Sequence, residues 1–132
     1  NIGPNPRGEI DPRAVKRMQA IGAWIRLHKE AIIDCGPSKY PVPKDCRYTQ
    51  NGKKLYLHVY SYPFKHIHLP EIADQVRFIR FLHDGSEIFY RGFDPNEVIT
   101  STEAVIAPND LVVTLPVVPP NVLIPVLEIT LK

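Results

Sequence analysis

The chain has 132 residues, 44% hydrophobic and 23% charged, with 16 Lys and Arg against 14 Asp and Glu. That is one domain, or a small domain with a piece of another, long enough to bury a core without staples. The basic residues are scattered among acidic ones without a basic run, which excludes the basic tract of a nucleic-acid binder, and no apolar run approaches the ~20 residues of a membrane helix.

Asn1 to Pro12 reads as the exit of a buried strand, a glycine and proline loop, and a helix start. A strand exit needs a strand before it, so the expectation is the tail of a larger protein. Asp11 is an N-cap, Pro12 suits the first helical turn with its fixed φ and missing N–H, and the helix runs to about His28. At 100° per residue Ala14, Val15, Met18, Ile21, Gly22 and Ile25 share one stripe. Ala20, Ala23, Trp24 and Leu27 form a second, roughly opposite. Two stripes predict that the C-terminal half of the helix is held between two layers, one of them preceding Asn1; the alternative is that Trp24 only covers the connector after the helix.

That Pro-rich connector, 34–46, carries both cysteines, Cys35 and Cys46, and their spacing allows either a bridge or two free thiols. From Arg47 the period changes to two. Asn51-Gly52 predicts a hairpin with a type I′ turn. Lys54–Tyr60 alternates, with Leu55, Leu57 and Val59 inward and Tyr56, His58 and Tyr60 on the other face. Val76–Leu82 reads as a central strand, and Asp84-Gly85 turns it into Glu87–Tyr90. Further strands are expected at Val98–Thr102, Ala104–Ala107, Leu111–Leu115 and Val122–Leu131, the last at an edge or bulged because of Pro125. The fold class is therefore mainly β, an antiparallel sandwich of seven or eight strands preceded by one α-helix.

The segments Asn1-Ile-Gly-Pro-Asn-Pro-Arg-Gly-Glu-Ile10, Ile21-Gly-Ala-Trp24 and Glu30-Ala-Ile32 together resemble the end of the catalytic barrel in α-L-fucosidases of glycoside hydrolase family 29. Arg47-Tyr-Thr49, Lys54-Leu-Tyr-Leu-His-Val59, Leu69-Pro70, Leu82 to Gly85 and Val126-Leu-Glu-Ile129 continue the resemblance in the same order, over nearly the whole chain. Departures are Lys29 in place of the family's usual Gly, Ile33-Asp34-Cys35 in place of Tyr-Gly-Thr, Cys46 and Tyr62 where Gly and Trp are common, and Pro119-Pro120-Asn121 in the last loop.

The resemblance implies that 1–33 ends a (β/α)8-like barrel, 34–46 connects, and 47–132 is the C-terminal sandwich. It implies a parent that removes terminal α-L-fucose with retention and is exported to a periplasmic, extracellular or lysosomal space. Its partners here would be the barrel upstream and the fucosylated glycan, with no nucleic acid, membrane or cofactor. In the family both catalytic carboxylates lie upstream, so no catalytic residue is assigned. Asp11, Asp84, Asp94 and Asp110 all sit where Asp caps or turns its own backbone.

Two side-chain groups remain. His66 and His68 on one strand face have a metal-ligand spacing, with His58 as a third imidazole on a neighbouring strand, but a solvated strand face explains them and no metal site is assigned. Tyr56, His58, Tyr60 and Tyr62 form an aromatic group that either contacts sugar, as in an independent carbohydrate-binding module, or packs against a second layer. The helix with two stripes favours the fucosidase tail over the free module.

Overall fold

A computed structural model describes residues 2–96 and 106–132 of the chain. Helix α1 spans Pro12–His28 and runs into a 3-10 turn at Lys29–Ala31. Asp11 caps it: its Oδ1 accepts from the Arg13 amide at 2.8 Å, satisfying one of the amides that a helix start leaves free. Asp34, at φ 60°, turns the chain away after the 3-10 turn.

Among the described residues seven strands come after it: β1 (Cys46–Asn51), β2 (Lys54–Val59), β3 (His66–Leu69), β4 (Val76–Phe81), β5 (Tyr90–Arg91), β6 (Leu111–Thr114) and β7 (Val126–Leu131). They form two antiparallel sheets, ordered β1-β2-β7-β4 and β3-β6-β5. The inner faces close on each other through Leu55, Leu57, Ile67, Leu69, Ile79, Val113, Leu127 and Ile129, all in one buried cluster. The sandwich is the one that the period-two pattern predicts. Val98–Thr102 lies outside the described residues, as do the first two positions of Ala104–Ala107.

The outer face of the four-stranded sheet is covered too. Tyr56, Ala31 and Val126 form a second buried cluster, with Trp24, Cys35 and Leu82 packed against it. That third layer explains β2, where Leu55 through Val59 are buried without alternation. Tyr56 and His58, expected on an outward face, lie beneath the helix and its 3-10 turn.

Three local expectations are corrected. The hairpin exists, but Asn51 pairs with Lys54, so the two-residue loop is Gly52-Lys53. Only Gly52 has positive φ (55°), which matches a type II′ turn rather than I′. Val76–Phe81 is not central: it ends the four-stranded order. Its free side is met by the returning chain, with the Phe81 amide donating to Ser86 O and the Ile88 amide to Ile79 O, both at 2.9 Å. An edge covered this way carries the apolar signature of an interior strand. The last strand begins at Val126, so Pro125 precedes it and β7 occupies an interior position. The missing Pro125 N–H costs nothing there, while its carbonyl accepts from the Val59 amide at 3.0 Å.

The two thiols are free. Cys35 Sγ donates to Glu30 O at 3.3 Å. Cys46 is buried in the core, and burial raises its thiol pKa to about 11, leaving it inert near neutral pH.

Candidate functional site

The chemistry-bearing side chains converge on the face of the four-stranded sheet that α1 covers. Register decides which they are. Arg47 pairs with His58 and Thr49 with Tyr56, while Tyr56 also faces Glu128, and Glu128 faces Arg80. One stripe across four strands thus carries Thr49, Tyr56, Glu128 and Arg80.

Glu128 is 1% exposed and bound on both oxygens: Lys54 Nζ lies 2.6 Å from Oε1 and Arg80 Nη2 3.0 Å from Oε2. Lys54 also donates to Thr130 Oγ1 at 2.9 Å. Burial by itself raises the carboxyl pKa, but the two cations outweigh it and hold Glu128 below its usual range. Beside it, burial first and the Glu128 charge second push the Tyr56 hydroxyl up to about 12. An ionised carboxylate saturated by two cations and closed from solvent is a structural anion, with no lone pair directed at a substrate.

Above this stripe lies a groove of about 390 Å³, lined by Ile21, Trp24, Ile32, Thr49, His58 and Ile124 among others. Trp24 anchors it. Its indole Nε1–H donates to Leu123 O at 2.6 Å and lies 3.2 Å from Ile124 O, so the helix is tied to the loop before β7. The loop before β7 takes Trp24, and Cys35 of the connector packs against the same buried cluster. Leu27, assigned to the same stripe, is 50% exposed, and the position that closes the contact is His28, fully buried one turn after Trp24. Trp24 and His28 at i and i+4 share a face, and this spacing was the available signal. It was missed because a histidine at a helix end reads as a cap residue.

The aromatic group does not assemble into one patch. Tyr56 is buried under the 3-10 turn, Tyr60 is mostly exposed at the groove rim, and Tyr62 packs toward the inner core while donating to Pro116 O at 2.9 Å. His66 and His68 lie on β3 in the other sheet, and His58 turns toward the helix, so the three imidazoles do not meet. Among the described residues no group of three potential metal ligands occurs. The aspartates hold turns: Asp84 accepts from Ser86 N at 2.9 Å, Asp94 from Asn96 N at 2.9 Å, and Asp110 from Ala107 N at 3.0 Å, with a further bond to Asp110 from Glu71 N of a distant loop.

The far side of α1 is different in kind. Val15, Met18 and Ile25 are 38 to 50% exposed, and Ile2 and Ile10 of the entry loop stand beside them. Ile2, Ile10, Val15, Met18 and Gly22 line one shallow depression.

These features define a two-sheet antiparallel β-sandwich with one amphipathic helix docked on its outer face. Over its full length the chain is similar to α-L-fucosidase isoenzyme 1 from Paenibacillus thiaminolyticus, with 32% identity and a TM-score of 0.81, covering 30% of that chain. It is also similar to a GH29 α-L-fucosidase from Bacteroides thetaiotaomicron (18% identity, TM-score 0.80, 100% of this chain and 27% of that one). The α-fucosidase of Thermotoga maritima shares the fold at 18% identity and a TM-score of 0.70, over 98% of this chain and 29% of that one. No protein-family model matches the chain, and no curated protein does. The chain thus resembles the C-terminal part of a glycoside hydrolase family 29 α-L-fucosidase and spans about three tenths of such an enzyme's length.

Proposed function

We propose that the chain is the non-catalytic C-terminal portion of a retaining α-L-fucosidase-like glycoside hydrolase. Residues 1–33 end its (β/α)8-like barrel, 34–46 connect, and 47–132 form a sandwich that buttresses the barrel. The observation that carries this reading is the double use of α1. One line of the helix is pinned to the sheet through Trp24 and His28, while the opposite line, Val15, Met18 and Ile25 with Ile2 and Ile10, is apolar and open. Contiguous apolar surface of this kind marks an interface. In the relatives most of the chain lies outside the matched part, and that remainder is the partner this face fits.

A retaining glycosidase needs two carboxyl groups about 5–5.5 Å apart flanking the scissile bond, one nucleophilic and one acid/base. Here the capping and turn aspartates are engaged with backbone amides, and Glu128 is sealed by Lys54 and Arg80. The catalytic pair is therefore assigned to the barrel, and the fucosylated glycan is the substrate of the whole enzyme, which acts outside the cytoplasm. An independent carbohydrate-binding module would present its tyrosines together, and these three point three ways.

The 132-residue chain alone is expected to show no fucosidase activity. Purified and assayed with an aryl α-L-fucoside beside the Paenibacillus thiaminolyticus enzyme, it should give no turnover above the uncatalysed rate. Turnover within a hundredfold of that enzyme would sink the proposal.

A further inference from the structure

Three imidazoles meet beneath the C-terminal half of α1. His28 is fully buried, with its ring stacked on Trp24 at 4.5 Å and 17°. The ring of His83 lies 6.3 Å from that of His28, and His58 lies 6.2 Å from the other side of the cluster, the Trp24 ring.

Their hydrogen bonds fix where the protons are. A carbonyl oxygen only accepts, so His28 Nδ1–H donates to Trp24 O at 2.9 Å and Nε2 is bare. That Nε2 is buried and has no partner among the described residues. The Thr49 hydroxyl donates to Ala31 O at 2.5 Å, so it must accept from His58 Nε2–H at 2.9 Å. His83 Nε2 lies 3.5 Å from Asp84 Oδ2, and its Nδ1 is likewise buried without a partner. Neutral rings fit this arrangement at His28 and His58. A proton added at His28 would form a buried N–H with no acceptor, facing a second imidazole.

We propose that His28 and His58 form an acid-released latch: neutral, they hold helix α1 down on the four-stranded sheet, and protonated, they let it go.

The surrounding charges do not rescue the charged form. On the sheet, Glu128 is already neutralised by Lys54 and Arg80. Arg47, on β1 at the groove, adds positive charge beside His58 while donating to Cys46 O at 2.6 Å. Glu30 and Asp34, on the turn after the helix, line a depression with Tyr56 on the other side of that turn. Asp84 lies against the ring of His83 while also holding Ser86, and positive charge at His83 opposes charge on His28 further. The helix has one other anchor, Trp24, which stacks on His28 and donates to Leu123 O; His28 is its one buried residue.

Burial is the first cause that lowers the pKa of both His28 and His58; the bonds to Trp24 and Ala31 offset it in part, and the neighbouring rings add to it. A base with a lowered docked-state pKa binds its proton preferentially when undocked. Docking is therefore complete above pH ~6.5, the free imidazole value, and weakens as pH falls from there toward the docked values. Each unit of depression is worth about tenfold in the docking equilibrium. Glu128, held low, stays ionised throughout this window.

Trp24 is the single tryptophan and reports the latch directly. Between pH 8 and 5 its emission should shift to the red reversibly, with a midpoint below 6.5. Amide exchange in α1 should rise at least tenfold while the strands stay protected. The H28Q/H58Q variant should lose the transition. Should that variant fail to fold, proton NMR titration of the five histidines in the unaltered chain decides the matter: at least two should titrate below 6.5. Unchanged emission down to pH 5, a transition that persists in the folded variant, or five histidines all titrating at or above 6.5 would each overturn the latch.

Discussion

Replacing Lys54 and Arg80 together by Met should destabilise the fold by about 3 kcal/mol, because a buried carboxylate then loses both partners. The figure sits at the low end for a broken buried pair, since the two cations are themselves about two-fifths exposed and water partly screens them. Glu128, at 1% exposure, has no such relief. The pH dependence gives the sharper signature. With its cations in place Glu128 has a lowered folded-state pKa, so its contribution is present above the unfolded value near 4.5 and is lost as pH falls through the folded value. In the double variant only burial remains, the folded pKa rises above the unfolded one, and acidification protonates the group and relieves it. Chemical denaturation at pH 7, 5 and 4 reads both effects. A variant as stable as its parent, or one with the same acid slope, would show that the cluster is solvated.

Trp24→Ala is the second large effect. Trp→Ala in a closed core costs about 3–5 kcal/mol. Trp24 is half-buried, but it also donates to Leu123 O at 2.6 Å and stacks on His28, so about 3 kcal/mol is expected. The loss should appear in the docking of α1 on the loop before β7, while the inner core behind Leu57 and Ile129 keeps its cooperativity. In a full-length fucosidase carrying this segment the melting temperature should fall and the KM for an aryl fucoside should hardly move. An unchanged melting temperature with a raised KM would mean that this side of the helix faces ligand.

The helix was readable because Asp11-Pro12 states its start and its apolar spacing states its faces. The sandwich was readable because Leu55, Leu57 and Val59 alternate and Gly52 marks a turn. A third layer hid the rest. Tyr56 and His58 look like an outward face until the 3-10 turn and α1 cover them. β4 looks interior because Ser86–Ile88 fold back along its free side. Glu128 looks like one more exposed strand residue, and only the register with Lys54, Tyr56 and Arg80 makes it a buried anion. The His28–His83 contact joins residues 55 positions apart, and periodicity carries no signal for that.

The claim that α1 joins the sandwich to a barrel is tested most directly by amide exchange of residues 12–28. The measurement compares this chain alone with a full-length fucosidase that contains it. The amides of Val15 to Gly22 should exchange much faster in the isolated chain, or the chain should self-associate through its exposed stripe; in the full-length enzyme they should be protected. A monodisperse monomer whose helix is as well protected alone as in the enzyme would contradict the account.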